Sequence, residues 1–116
     1  MRGVNALERF VIEGVAQLLP QQRSAQLLAD LESASVDGRG GGDQSISSFI
    51  IQGYESARSK GQHTYPVEIA MKDEDGADLT IMLYADRNER LCEMEIIRWD
   101  DQPLICPDMD SVRFYG

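Results

Sequence analysis

The chain has 116 residues, a length that fits one domain built around one hydrophobic core. It is 42% hydrophobic and 27% charged with a net charge of −9, a field that repels nucleic acid and anionic membranes and attracts basic partners. No run approaches the roughly 20 apolar residues of a membrane span, and "MRGVNALERF" lacks the apolar run of a secretory signal. Cys92 and Cys106 make neither a disulfide framework nor a metal motif, so the expected setting is the cytoplasm with reduced thiols.

Val4, Leu7, Val11, Val15 and Leu18 recur at intervals of three and four, which predicts an amphipathic helix. Asn5 followed by Glu8 has the spacing of a capping box at its start. Pro20 ends this helix or begins the next, and Gln21 to Glu32 form a second, with Leu27, Leu28 and Leu31 on one side. Residues about 4–32 are therefore expected to form a helical hairpin.

The stretch "VDGRGGGDQS", a glycine-rich loop over 37–43, suggests at first a phosphate-binding loop. It lacks the Gly-Lys-Ser/Thr ending of a P-loop, leads into a strand, and is flanked by Asp37 and Asp43. It is expected to be a helix-to-strand connection and not a nucleotide site. Beyond it the period changes from 3.6 to 2, and a sheet is expected over about 45–99. "SISSFII" is β-like, and "YESARSKGQHTY" is a polar connection with room for a short helical turn. Val67, Ile69 and Met71, then Leu79, Ile81 and Leu83, then Cys92, Met94 and Ile96 each alternate with outward residues. Asp75-Gly76 and the segment Asp86–Glu89 mark the two hairpin turns. The expected fold is a single α+β domain: an N-terminal helical hairpin packed on one face of an antiparallel meander of four to five strands, with a tail over 100–116.

Chemistry-bearing residues do not assemble into a catalytic motif. "KDEDGAD" places its glycine too early for an EF-hand and sits between strands. His63 is the single histidine, read as an exposed loop residue, and Cys92 as a small core residue. No catalytic, cofactor-binding or metal-binding residue is assigned, and no cofactor or enzymatic activity is expected.

The charge surplus is localised. Residues 66–110 hold 13 of the 20 acidic residues and 4 of the 11 basic ones. If the helices cover one sheet face, the other presents Glu68, Asp78, Glu93 and Glu95 together with Met82, Tyr84, Ile97 and Trp99. Aromatic side chains surrounded by charge are what a protein-binding patch requires. The alternative is that the tail, with Leu104, Ile105, Val112, Phe114 and Tyr115, folds over this face. The two differ in the exposure of Trp99. The residues expected to bind a partner are Asp78, Tyr84, Glu93, Glu95, Trp99, Asp100 and Asp101.

The ending "LCEMEIIRWDDQPLICPDMDSVRFYG", with the preceding hairpins and the helical hairpin, resembles small bacterial α+β proteins. It is similar to immunity proteins of polymorphic toxin systems, including contact-dependent growth inhibition. That resemblance implies a cytoplasmic protein that binds and neutralises a cognate toxin, such as a nuclease with a basic surface, and binds neither nucleic acid nor membrane. The competing expectation is a non-enzymatic interaction domain, or a homodimer, unconnected with a toxin.

Overall fold

The computed structural model describes residues 2–37, 45–55 and 61–116. Two helices, α1 (Ala6–Ala16) and α2 (Gln21–Glu32), pack on a sheet of eight strands. The strands are β1 (Arg2–Gly3), β2 (Ala34–Asp37), β3 (Ile46–Ile51), β4 (His63–Thr64), β5 (Glu68–Asp73), β6 (Asp78–Ala85), β7 (Leu91–Arg98) and β8 (Pro107–Tyr115). Every pairing is antiparallel, in the order β1-β2-β3-β7-β6-β5-β8, and β4 also pairs with β6.

The α+β class agrees with the periodicity of the sequence, but the meander is larger than four to five strands. The three central strands β5–β7 are extended by β3, β2 and β1 on one side and by β8 on the other. The glycine stretch therefore does not connect a helix to a strand: β2 precedes it, and β2 pairs with β3 on its far side. Residues 38–44 of that stretch lie outside the described residues. The polar connection before Tyr65 contains β4, which places His63 in a strand and not in a loop.

Local chemistry explains the helices. The Asn5 side chain accepts from the Glu8 N–H at 2.8 Å, and the Glu8 carboxylate accepts from the Asn5 N–H at 2.9 Å, completing the capping box. Glu8 is also buried, and Arg2 of β1 and Ser47 of β3 both donate to it. Burial alone would raise its pKa, but the hydrogen bonds from Arg2, Ser47 and Asn5 together hold it below the usual value. One carboxylate thus starts a helix and ties it to two strands. Leu18 falls beyond α1 and is exposed, whereas Val11, Ile12 and Val15 are fully buried.

The core lies between the helices and the inner sheet face. It joins Val11, Ile12, Val15, Leu27 and Leu31 to Phe49, Ile69, Leu79, Ile81, Leu83 and Met94. Phe114 of β8 reaches this layer too, and its ring sits against Gly14 of α1.

The two hairpins share one design. The Gly76 N–H donates to the Asp73 carbonyl and the Asp73 N–H to the Ala77 carbonyl; Glu89, Asp86 and Arg90 repeat the pattern. The left-handed position is filled by Gly76 (φ +88°) in one turn and by Glu89 (φ +64°) in the other. Each hairpin opens on a buried aspartate, Asp73 or Asp86.

At the sheet margin, the register between β5 and β8 shifts between Ala70 and Lys72. The Ser111 hydroxyl fills the gap, accepting from the Lys72 N–H at 2.8 Å. Asp108 accepts from the Asp110 N–H, and the Arg113 guanidinium donates to the carbonyls of Asp110 and Val112. Asp108 and Arg113 thereby occupy backbone groups of the outermost strand.

Candidate functional site

Alternation along β5, β6 and β7 turns one set of side chains away from the helices. On β6 these are Asp78, Thr80, Met82 and Tyr84; on β7 they are Glu93, Glu95 and Ile97. The register sets them in rows: Thr80 opposite Ile97, Met82 opposite Glu95, Tyr84 opposite Glu93. On the next strand Ile46 stands opposite Glu95 and Ser48 opposite Glu93. Beyond β5, Tyr115 stands opposite Glu68.

Trp99 separates the two expectations for the tail. The tail does not fold across this face but enters the plane of the sheet as β8, and the Trp99 side chain is left 65% exposed. Its indole N–H donates to the Thr80 hydroxyl at 2.9 Å, which holds the ring on the outer face. Ile46 and Tyr115 add two more exposed side chains: Ile46 was missed because its place on the face depends on pairing between distant strands, and Tyr115, expected to lie over the face, stands within it opposite Glu68.

Among the residues expected to bind a partner, Asp78, Tyr84, Glu93, Glu95 and Trp99 share this face. Their charges differ in availability. Asp78 is paired with Lys72, and Glu93 accepts a long hydrogen bond from Gln62. The Tyr84 phenol is pushed up in pKa, first by partial burial and then by the charges of Glu95 and Glu93.

Asp100 and Asp101 lie in the turn after β7 and behave differently. Asp101 is exposed at φ +64°. Asp100 grips Arg98 through two bonds of 2.7 and 2.9 Å. Arg98 is nearly buried and also binds Asp73 at 2.7 Å and Asp75 at 3.1 and 2.7 Å. All five guanidinium N–H groups are thereby used on three carboxylates. Asp73 accepts in addition from the backbone N–H groups of Ile105 and Cys106. Burial opposes its charge, but these bonds and Arg98 bring its pKa down to about 2. Asp100 therefore belongs to a lock that fixes the first hairpin, the end of β7 and the start of the tail.

A second polar cluster lies at the other hairpin. Buried Asp30 of α2 accepts from Arg90 at 2.7 and 2.9 Å and from the Leu91 N–H at 3.0 Å. The Arg90 guanidinium lies over the Tyr54 ring, and the Tyr54 hydroxyl donates to Asp86. Nearby, Glu89 holds Arg23 of α2 and His63 of β4. Both clusters are structural ties between elements. Cys92 is buried at the irregular step between β6 and β7, its Sγ 3.8 Å from the Gln62 side chain.

Residues 1–108 match a family model described as "Domain of unknown function (DUF6984)". The chain belongs to that family. No curated protein and no solved structure matches it. The family match takes in both helices, strands β1 to β7 and all seven residues expected to bind a partner, from Asp78 to Asp101. Among the described residues of this DUF6984 domain, no helix is long and apolar enough to cross a membrane.

Proposed function

We propose that this DUF6984 domain is a binding protein whose outer sheet face engages a basic partner protein. In the more specific form suggested by the sequence resemblance, it is a cytoplasmic immunity protein that neutralises a cognate toxin such as a nuclease. The observation that carries the reading is Trp99: a large aromatic ring, 65% exposed, held in place by Thr80 on the face that also carries Glu93 and Glu95. A fixed aromatic ring loses little conformational freedom on binding and contributes on the order of 2 kcal/mol as an anchor. The surrounding negative charge accelerates encounter with a cationic surface. A nuclease active site is such a surface, because it binds phosphates.

The test is binding kinetics against a basic toxin domain over a range of salt concentrations. Trp99→Ala is expected to speed dissociation. Glu95→Gln with Asp101→Asn is expected to slow association, most strongly at low salt where screening is weak. Asp100 is unsuitable for this purpose, since changing it also opens the Arg98 lock. Salt-insensitive association, together with unchanged dissociation of Trp99→Ala, would place the interface elsewhere.

A further inference from the structure

Strands β4 and β5 both pair with β6 along the same side, and the chain between them turns at Tyr65–Val67. The result is a groove of about 270 Å³, bordered by Thr64, Val67, Glu68, Thr80 and Met82. It opens within the outer face: Thr80 at its rim is the residue that holds Trp99. Met82 lies opposite Glu95 of β7. Glu68, one step beyond the Ile69–Ile81 pair, flanks Met82 on the other side. A carboxylate, a thioether and a second carboxylate thus stand in one row across three strands, the outer two separated by about 10 Å of backbone. Neither Glu68 nor Glu95 has an ion-pair partner among the described residues. Lys72, the cation on the same strand as Glu68, is already taken by Asp78.

We propose that this groove receives an arginine side chain from the partner protein, an inference that rests on the outer face being the partner surface. The guanidinium lies over Met82, between Glu68 and Glu95, and the alkyl stem runs along the groove past Thr80 and Val67. The match is one of both shape and charge. A flexible, polarisable thioether adapts to the flat face of a guanidinium, and a planar, permanently charged fork reaches carboxylates on both sides. Trp99 and the groove then form adjoining aromatic and cationic subsites of one interface.

The probe is a blocked tri-arginine peptide, compared with its tri-citrulline counterpart, in which a neutral urea replaces each guanidinium. Binding is followed by backbone amide shifts of the isotope-labelled protein. The arginine peptide is expected to shift Thr64, Glu68, Thr80 and Met82 saturably, and the citrulline peptide to leave them unmoved. Glu68→Gln should weaken binding about three- to fivefold. Glu13→Gln on exposed α1, which changes net charge equally, should leave it unchanged. Equal weakening by both variants, or equal shifts from both peptides, overturns the proposal. Shifts confined to Trp99 and Tyr84 overturn the groove but leave the outer face as the partner surface. Shifts away from that face remove both.

Discussion

Phe114 closes over Gly14. A methyl group built on that glycine would meet three ring carbons at 2.2 to 2.6 Å, so the absence of a side chain in the middle of α1 is what lets β8 seat its aromatic ring. Gly14→Ala gains about 1 kcal/mol of helix propensity but must displace the ring, at a cost of about 1–3 kcal/mol. The expected result is a net loss of stability in urea unfolding. In a Phe114→Ala background the same change should stabilise by about 1 kcal/mol. A stabilising Gly14→Ala in the native chain would mean that the ring moves aside freely.

The Arg98 lock gives a stability prediction with a pH signature. Arg98→Leu leaves Asp73 buried without its cation and should cost about 3–5 kcal/mol. The pKa of Asp73 in the folded chain, about 2, lies below its ordinary value of 3.8. Its contribution is therefore present above about pH 4 and lost as pH falls towards 2. Asp73→Asn should lower stability at neutral pH and flatten the acid limb of the unfolding profile. An unchanged acid limb in that variant would assign acid sensitivity to other carboxylates.

Tyr65 predicts the opposite sign. Its side chain is buried, and its hydroxyl has no hydrogen-bond partner among the described residues. Burial pushes the phenol well above its ordinary pKa, with further effect from the charge of Asp30. An unpaired buried hydroxyl costs about 1–3 kcal/mol. Tyr65→Phe should therefore stabilise the domain by about 1 kcal/mol, measured by thermal or urea unfolding. A loss of stability would show that the hydroxyl is satisfied in solution.

His63 faces an acceptor at each ring nitrogen: the Gly61 carbonyl at 2.9 Å and Glu89 at 3.1 Å. The arrangement favours the doubly protonated ring, and the pKa is raised, first by the Gly61 carbonyl and then by Glu89. The stabilisation is complete below the unfolded value near 6.5 and fades as pH rises through the folded one. An NMR titration of the ring should give a pKa above 6.5, and Glu89→Gln should bring it down. No decrease in that variant would leave the carbonyl as the whole cause.

Sequence reasoning worked where structure is set by near neighbours. Asn5 and Glu8 are three residues apart, and the strict alternation from Ile69 to Ile96 names the inner sheet face directly. It failed where pairing is remote. The four residues of β2 carry no period of their own and become a strand only against β3. Strand β8 begins with Pro107 and Asp108, poor strand formers, and its alternation is interrupted where the register shifts. At the candidate site, Trp99 and the outward carboxylates could be found from alternation alone. The engagement of Asp100 could not, because Arg98 meets Asp73 and Asp75 only once the first hairpin has folded.

Strand order also orders the folding events in time. Strands β5, β6 and β7 are joined by the two tight hairpins and can zip together through local contacts. Strand β3 reaches β7 only by bringing Ile46 to Glu95, and β1 reaches β2 by bringing Arg2 to Val36. Closing such long loops precedes the contacts that reward it, which slows folding to the millisecond-to-second range of non-local sheets. Loop-closure entropy thus predicts the central meander as the early nucleus, with its two flanks bare until β3 and β8 arrive. That interval, and not the finished fold, is when this chain is most exposed to pairing with a neighbour.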